Sequence, residues 1–300
     1  MASTLVQPLA QQLGFAASDR VAIVHADDIG MCHAANAGAF DALANGVVTC
    51  GSIMVPCPWF REAADLARAN PHFDLGVHLT LNSEWPQYRW GPVAGRDRVP
   101  SLLDEQGYLP RTLVEVLRAA KPAHVEIELR AQIETALAAG IDVTHLDAHM
   151  GTVLLDPFVG FYARLAQEYR LPVFAAQPDP AVLERAGLGA FVAVLRRGTE
   201  QIAAAGLPIL DGVELFSLDF EAGAGESHTT TRLSRIGTGV TYLITHPARD
   251  GEELRAISPD AHARVFEHGF YGSQAGRDRF AKEGIRTVGM RALRDLVRAR

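Results

Sequence analysis

Three cysteines in 300 residues, Cys32, Cys50 and Cys57, are an odd number in a chain too large to depend on disulfides. They lack the paired CxxC spacing of a structural zinc site and read as reduced thiols. No stretch approaches the ~18 consecutive apolar residues needed to cross a bilayer, so a membrane partner is not expected. Residues 1–14 lack a basic segment followed by a long apolar stretch, which points to a cytoplasmic protein. A long basic run is missing too. With 35 acidic against 28 basic side chains and a net charge of −7, the electrostatic footprint of a nucleic-acid binder is absent. The chain also has no internal repeat and no low-complexity segment.

What is present is apolar content, 48% of 300 residues, enough to bury a large core. α/β barrels of this length are routinely one domain, and residues 1–300 are expected to form one. Strand patterns at 21–26, 48–55, 73–81, 142–147, 171–175, 213–217, 241–246 and 285–288 alternate with helical periodicity. Helices are expected at 34–45, stopped by Gly46 as a C-terminal cap, at 59–70, and at roughly 110–120 and 125–140. Others follow from a cap at Asp156 to Arg170, in two stretches over 180–205, around 260–283, and at 290–300. Seven or eight strands with intervening helices argue for a closed or distorted (β/α) barrel of the α/β class, whose catalytic groups gather at the C-terminal strand ends.

Those ends carry the polar residues. The run from Val21 to Ala26 finishes on Asp27-Asp28-Ile29-Gly30. Two adjacent carboxylates repel and cost desolvation energy unless a cation or shared protons compensate, although a helix cap could account for one of them. His78 interrupts an apolar run at 73–81. His145, Asp147 and His149 alternate at 143–149 and would share one face of an extended chain, an expensive face to bury without a metal or substrate. His246 ends the strand at 241–246. Any one of these histidines taken alone reads as a hydrogen-bonded core or surface residue; four strands ending in Asp or His shift the balance.

The Ala-Asp-Asp-Ile-Gly box at 26–30, Gly-Val-His-Leu-Thr at 76–80, Thr-His-Leu-Asp-Ala-His at 144–149 and Thr-His-Pro at 245–247 together resemble the YdjC-like family of carbohydrate deacetylases, which includes the chitooligosaccharide deacetylases. The resemblance covers most of the chain. It implies one divalent metal, zinc or magnesium, held by Asp28, His78 and His149, with Asp27 as general base and His246 as the acid that protonates the leaving amine. His145 and Asp147 are then groups that orient His149 or complete the pocket, and His145 could exchange roles with His149. A homodimer is implied as well. Two positions depart from the family: Gly151 stands where a further His is usual, and Ala248 where Gly is common after His-Pro.

Amide hydrolysis explains the residue types. A metal that polarises the carbonyl and lowers the pKa of water addresses both a poor electrophile and a poor nucleophile, and one carboxylate with two imidazoles suits zinc while tolerating other divalent ions. The expected substrate is an N-acetylated sugar or oligosaccharide. The excursion at about 82–110 offers Trp85, Tyr88 and Trp90 either for stacking on pyranose faces or as loop anchors. Two other functions use the same residue types: another metal-dependent hydrolase (phosphoesterase or amidohydrolase), and a non-catalytic carbohydrate-binding relative. The phosphoesterase needs a basic clamp, for which only His25 and Arg89 lie near the boxes.

Overall fold

The computed structural model describes residues 7–300. Seven strands lie in one parallel sheet: β1 (Arg20–Ile29), β2 (Cys50–Ile53), β3 (Leu75–Leu79), β4 (Val143–Ala148), β5 (Gly212–Glu214), β6 (Gly239–Thr245) and β7 (Ile285–Thr287). Their order is β4-β3-β2-β1-β6-β5, and β7 pairs with the lower end of β1 at Arg20 to Ala22, below the stretch where β2 pairs with it. Single parallel bridges, Leu146 with Val173 and Ala176 with Leu210, carry the ladder from β4 round to β5. The sheet thus closes on itself as a distorted (β/α) barrel.

Burial on both faces follows from the strand composition. Val21, Ala22, Ile23 and Val24 are all fully buried, as expected where helices cover a parallel sheet and its interior is filled. Alternate residues of β1 divide between two clusters. Ala22, Val24 and Ala26 face the surrounding helices, and Val21 and Ile23 join Cys50, Phe174, Val240 and Tyr242 in a second core that plugs the barrel. Each large apolar side chain sequestered in this way contributes about 1.5–3 kcal/mol. The inward face of β1 continues upward as His25 and Asp27, so an apolar floor gives way to a polar mouth within four residues.

Several helix boundaries follow from local chemistry. Thr112 and Glu115 form a reciprocal capping box on Leu113–Ala119, and Pro122 opens Pro122–Ala138 at a position where its missing N–H costs nothing. Other boundaries differ from the sequence pattern. Gly46 does end helix His33–Asn45, but in extended conformation, φ −108°, rather than left-handed. A Cβ there would lie 1.9 Å from the Tyr271 carbonyl oxygen, so close backbone approach is what requires glycine. Asp156 caps nothing: helix Val159–Tyr169 starts after Phe158, and the Asp156 carboxylate faces Arg197 at 3.7 Å. The strand expected at 171–175 shrinks to the bridge at Val173, and that at 213–217 to β5. Helices Gly225–Ser234 and Glu252–Ile257 were not anticipated. Among the described residues no helix is long and apolar enough to cross a membrane.

The excursion between β3 and Leu113 is irregular apart from a short turn at Pro100–Leu102. Its aromatics turn inward. Trp85 and Trp90 are buried and meet edge to face, their centroids 5.6 Å apart, and Trp90 donates its indole N–H to the Asn82 carbonyl at 2.7 Å. Beneath them the Glu128 carboxylate accepts the backbone N–H groups of Val93 and Ala94, both at 2.9 Å. Trp85 and Trp90 anchor the loop, and half-buried Tyr88 ties it to the Met31 carbonyl, to which it donates at 2.6 Å.

Candidate active site

Neighbouring side chains on a strand point to opposite faces, so Asp27 and Asp28 need a break in the ladder to serve one site. The β1–β2 register shifts between Ala26 and Ile29, and Asp28 takes a left-handed φ of +62°. Such a bulge re-aims a side chain at the rim of a barrel, and a non-glycine residue held there costs about 1–3 kcal/mol. Both carboxylates consequently enter the mouth, and both are buried.

Among the described residues Asp28 Oδ1 has no hydrogen-bond partner, although it is buried. Around it stand His78 Nε2 at 3.6 Å and His149 Nδ1 at 3.5 Å, so three electron-pair donors from three different strand ends face one point without bonding one another. A buried carboxylate oxygen left unpaired is costly, and a cation at that point satisfies it together with both rings. Asp28, His78 and His149 thus fit a divalent metal. The surroundings favour positive charge there. Although burial opposes charge on His149, the Glu84 carboxylate at 3.1 Å from Nε2 and Asp28 lift its pKa to about 10. Burial alone raises Asp28, yet the Arg264 guanidinium, which donates to its Oδ2 at 2.8 Å, holds it well below the usual carboxylate range.

A second group, His25, Asp27 and Asp147, lies beside the first and differs in being closed by hydrogen bonds. His25 Nδ1 sits 2.6 Å from Asp27 Oδ1. Asp147, expected to orient His149 or complete the pocket, places its Oδ2 2.8 Å from His78 Nδ1, and Ser52 Oγ donates to the same oxygen at 3.0 Å. The other nitrogen of His78 is thereby aimed at Asp28, the arrangement by which a carboxylate fixes a ligating imidazole. His145 is remote from Asp28 and bonds His25, Nε2 to Nε2, at 2.8 Å, so the interchange with His149 allowed by the sequence is disfavoured by position. Burial, then the charge of Asp147, pushes Asp27 well above its ordinary pKa. That is the direction a general base operating near neutrality needs.

His246 completes the ring of polar groups, with Nε2 at 3.9 Å from both Asp27 Oδ2 and Asp28 Oδ2. On its far side Nδ1 is 2.8 Å from Ser217 Oγ, and Ser217 Oγ is 2.8 Å from Glu267. With the Ser217 hydroxyl donating to Glu267, His246 donates Nδ1–H to Ser217 and leaves Nε2 as a free acceptor facing the centre. Burial lowers its pKa to about 3, so the ring rests neutral.

The cluster opens into a cleft of about 940 Å³ that runs over the segment after β4, past Phe174, Leu183, Phe191 and Phe216. Gly151 lines this cleft with φ +67°, and a Cβ there would meet Leu154 Cδ1 at 3.9 Å, an ordinary contact. Neither residue considered as a phosphate clamp is free for that task. His25 is buried in the closed group, and Arg89 is spent inside the loop on Asp104 and the Leu109 carbonyl, both at 2.7 Å. Ser52, Glu84, Ser217, Arg264 and Glu267 carried no signal in the sequence, since each is an ordinary residue whose part depends on an element far away in the chain.

The family described as YdjC-like protein matches residues 21–282. The chain belongs to the YdjC-like family. Two relatives are each named carbohydrate deacetylase. That of Thermus thermophilus is 38% identical over 249 residues, covering 83% of this chain and 85% of its own, and that of Geobacillus stearothermophilus is 36% identical over 250 residues, covering 83% and 87%. A solved structure from Enterococcus faecalis, titled a putative cellobiose-phosphate cleavage protein, aligns with a TM-score of 0.72 at 24% identity over 92% of this chain and 99% of its own, a likeness of fold.

Proposed function

We propose that this protein is a metal-dependent carbohydrate deacetylase that removes the acetyl group from an N-acetylated sugar. The reading is carried by the orphaned Asp28 Oδ1 between two imidazole nitrogens, directly beside a carboxylate whose pKa is raised. Kinship with the two carbohydrate deacetylases supports the substrate class. Asp28, His78 and His149 would hold a divalent metal, which when bound would supply polarisation of an acetamido carbonyl and a more acidic water.

The chain's own groups do the rest. Asp27 takes the proton of the attacking water through Oδ2, while His25 holds Oδ1. His246, neutral at rest with Nε2 3.9 Å from Asp27 Oδ2, receives that proton and delivers it to the departing amine. Arg264 compensates the buried charge of Asp28; removal of one partner from such a pair costs about 3–5 kcal/mol. The test is acetate release from a panel of N-acetylated sugars and oligosaccharides, with metal content measured on the same preparation. Stoichiometric metal and acetate release are expected; stoichiometric metal with phosphate released from sugar phosphates instead would replace the deacetylase with a phosphoesterase.

A further inference from the structure

The cleft begins at the catalytic cluster as a polar pocket and continues as an apolar one. Its volume of about 940 Å³ lies at the upper end of the ~300–1,000 Å³ that encloses a drug-sized ligand. Phe174, whose ring is 4.6 Å from Tyr242 in the barrel plug, forms one wall, and the stretch from Pro180 to Ala204 supplies Leu183, Leu188, Phe191 and Leu195 to another. The polar side chains beyond the cluster are largely committed. Asp179 caps helix Pro180–Arg185, accepting the Ala181 N–H at 2.8 Å. Thr199 donates to the Ala176 carbonyl at 3.2 Å, and the Arg185 guanidinium lies 4.2 Å over the Phe216 ring. Gln177 and Asp219 remain, and both are exposed.

The apolar lining also reaches solvent. Among the described residues the exposed large apolar side chains are Val114, Leu137 and Met150. Met150, 50% exposed, lines the cleft; so does Leu113, the neighbour of Val114, and their helix packs on the segment His149–Leu154 that carries Met150. Met150 holds a left-handed φ of +52°, a conformation that persists in a residue other than glycine only where the surroundings impose it. Exposed apolar residues scattered singly need no explanation, whereas a strip continuous with an apolar cleft marks a binding surface. An oligosaccharide presents hydroxyls along its whole length and would exchange their bonds to water for a wall with few partners to offer. A hydrocarbon chain gains by the same transfer.

We propose that the substrate is an amphiphile, an N-acylated amino sugar bearing a hydrocarbon chain, with its amide at the Asp28, His78 and His149 cluster and its chain in the apolar cleft. The inference rests on the deacetylase reading above and deepens it by naming the substrate class. The reaction is the same in kind: a water oxygen bonds to the acyl carbon, the C–N bond breaks, and the nitrogen takes a proton and leaves as the free amine. The chain has two possible origins, the acyl group of the amide or the aglycone of the sugar. In both cases Leu188 and Phe191, which stand apart from the catalytic cluster, determine specificity.

Two substrate series separate those origins: alkyl glycosides of N-acetylglucosamine from methyl to octyl, and N-acylglucosamines from acetyl to octanoyl, each assayed as released amine below its micelle concentration. In one series kcat/KM should rise by about fourfold for each methylene buried, and that series names the origin. A flat response in both overturns the proposal, whatever oligomers of N-acetylglucosamine do in parallel. Phe191→Asn and Leu188→Asn should each lower the long-chain to short-chain ratio of kcat/KM by about tenfold or more, because a polar amide then lines the path of the chain. A ratio unchanged in both variants sinks it. Calorimetry with octyl glucosaminide and octanoate, which have no amide to hydrolyse, reads the cleft by itself. One of them should bind at least about tenfold more tightly than methyl glucosaminide or acetate. Chain-dependent binding without hydrolysis of any amide keeps the amphiphile cleft and removes the deacetylase; acetate release with no dependence on chain length does the reverse.

Discussion

The two polar groups at the barrel mouth are made of the same residue types and differ in what their atoms lack. Asp28, His78 and His149 leave donors facing one another at 3.5 and 3.6 Å with a carboxylate oxygen unpaired, whereas His25 and Asp27 close at 2.6 Å and Asp147 is engaged by His78 and Ser52. Burial is common to both. Open valence marks a place for a cation, and closed hydrogen bonding marks a support that orients it. Adjacent residues of one strand, Asp27 and Asp28, fall on opposite sides of this divide because a single bulge turns one of them.

The largest effect should come from breaking the open group. Asp28→Ala or His78→Ala removes one of the three proposed ligands, so metal occupancy should collapse and the proposed acetate release with it. Elemental analysis decides: a variant that keeps stoichiometric metal shows that the cation is held elsewhere. Asp27→Asn comes next. It preserves shape but removes the base, and hydrolysis should fall by about 10²–10⁴-fold with metal retained. Loss of metal from Asp27→Asn with retention in Asp28→Asn would exchange the two roles.

His246 belongs to neither group, and its effect depends on the substrate. An amine must gain a proton to leave, whereas an activated phenolate departs without one. His246→Ala should damage hydrolysis of an N-acetyl sugar far more than that of an aryl acetate, with metal content unchanged. Equal losses on both substrates would reduce His246 to a packing residue beside Pro247.

The divide between open and closed groups was not legible in the sequence, though its members were. Continuous apolar runs ending in Asp or His are a local signal, and they located the strand ends of β1, β3, β4 and β6 because buried parallel strands must be apolar on both faces. Strand β5 and the bridge at Val173 were overdrawn, since apolar patterning does not report how many ladder bonds a distorted barrel keeps. Partners were the other loss. That Asp147 serves His78 rather than His149, or that Arg264 reaches Asp28 across 236 residues, depends on register between strands and on which face a helix presents, and neither leaves a mark in the local sequence. The departure at Gly151 was visible; that it lines the cleft was not.

The smallest expected effect tests whether burial alone, without a cation, accounts for a raised carboxyl pKa. Glu128 is buried under the 82–110 loop and meets only neutral donors, Gln132 Nε2 at 2.7 Å and the N–H groups of Val93 and Ala94. Burial pushes it from 4.5 to about 7 despite those bonds. A folded pKa above the unfolded one means that the folded state binds the proton more tightly, so the stability it contributes is complete below about 4.5 and is lost as pH rises through about 7. The loss is at most roughly 3 kcal/mol. Glu128→Gln carries no titrating group. It should be less stable than the parent at pH 5, because an amide can accept fewer of the three N–H groups, and the gap measured by urea unfolding should narrow by pH 8. A gap that widens instead would mean that Glu128 is folded as a stabilised carboxylate, and that neutral hydrogen bonds alone can hold a buried charge in this barrel.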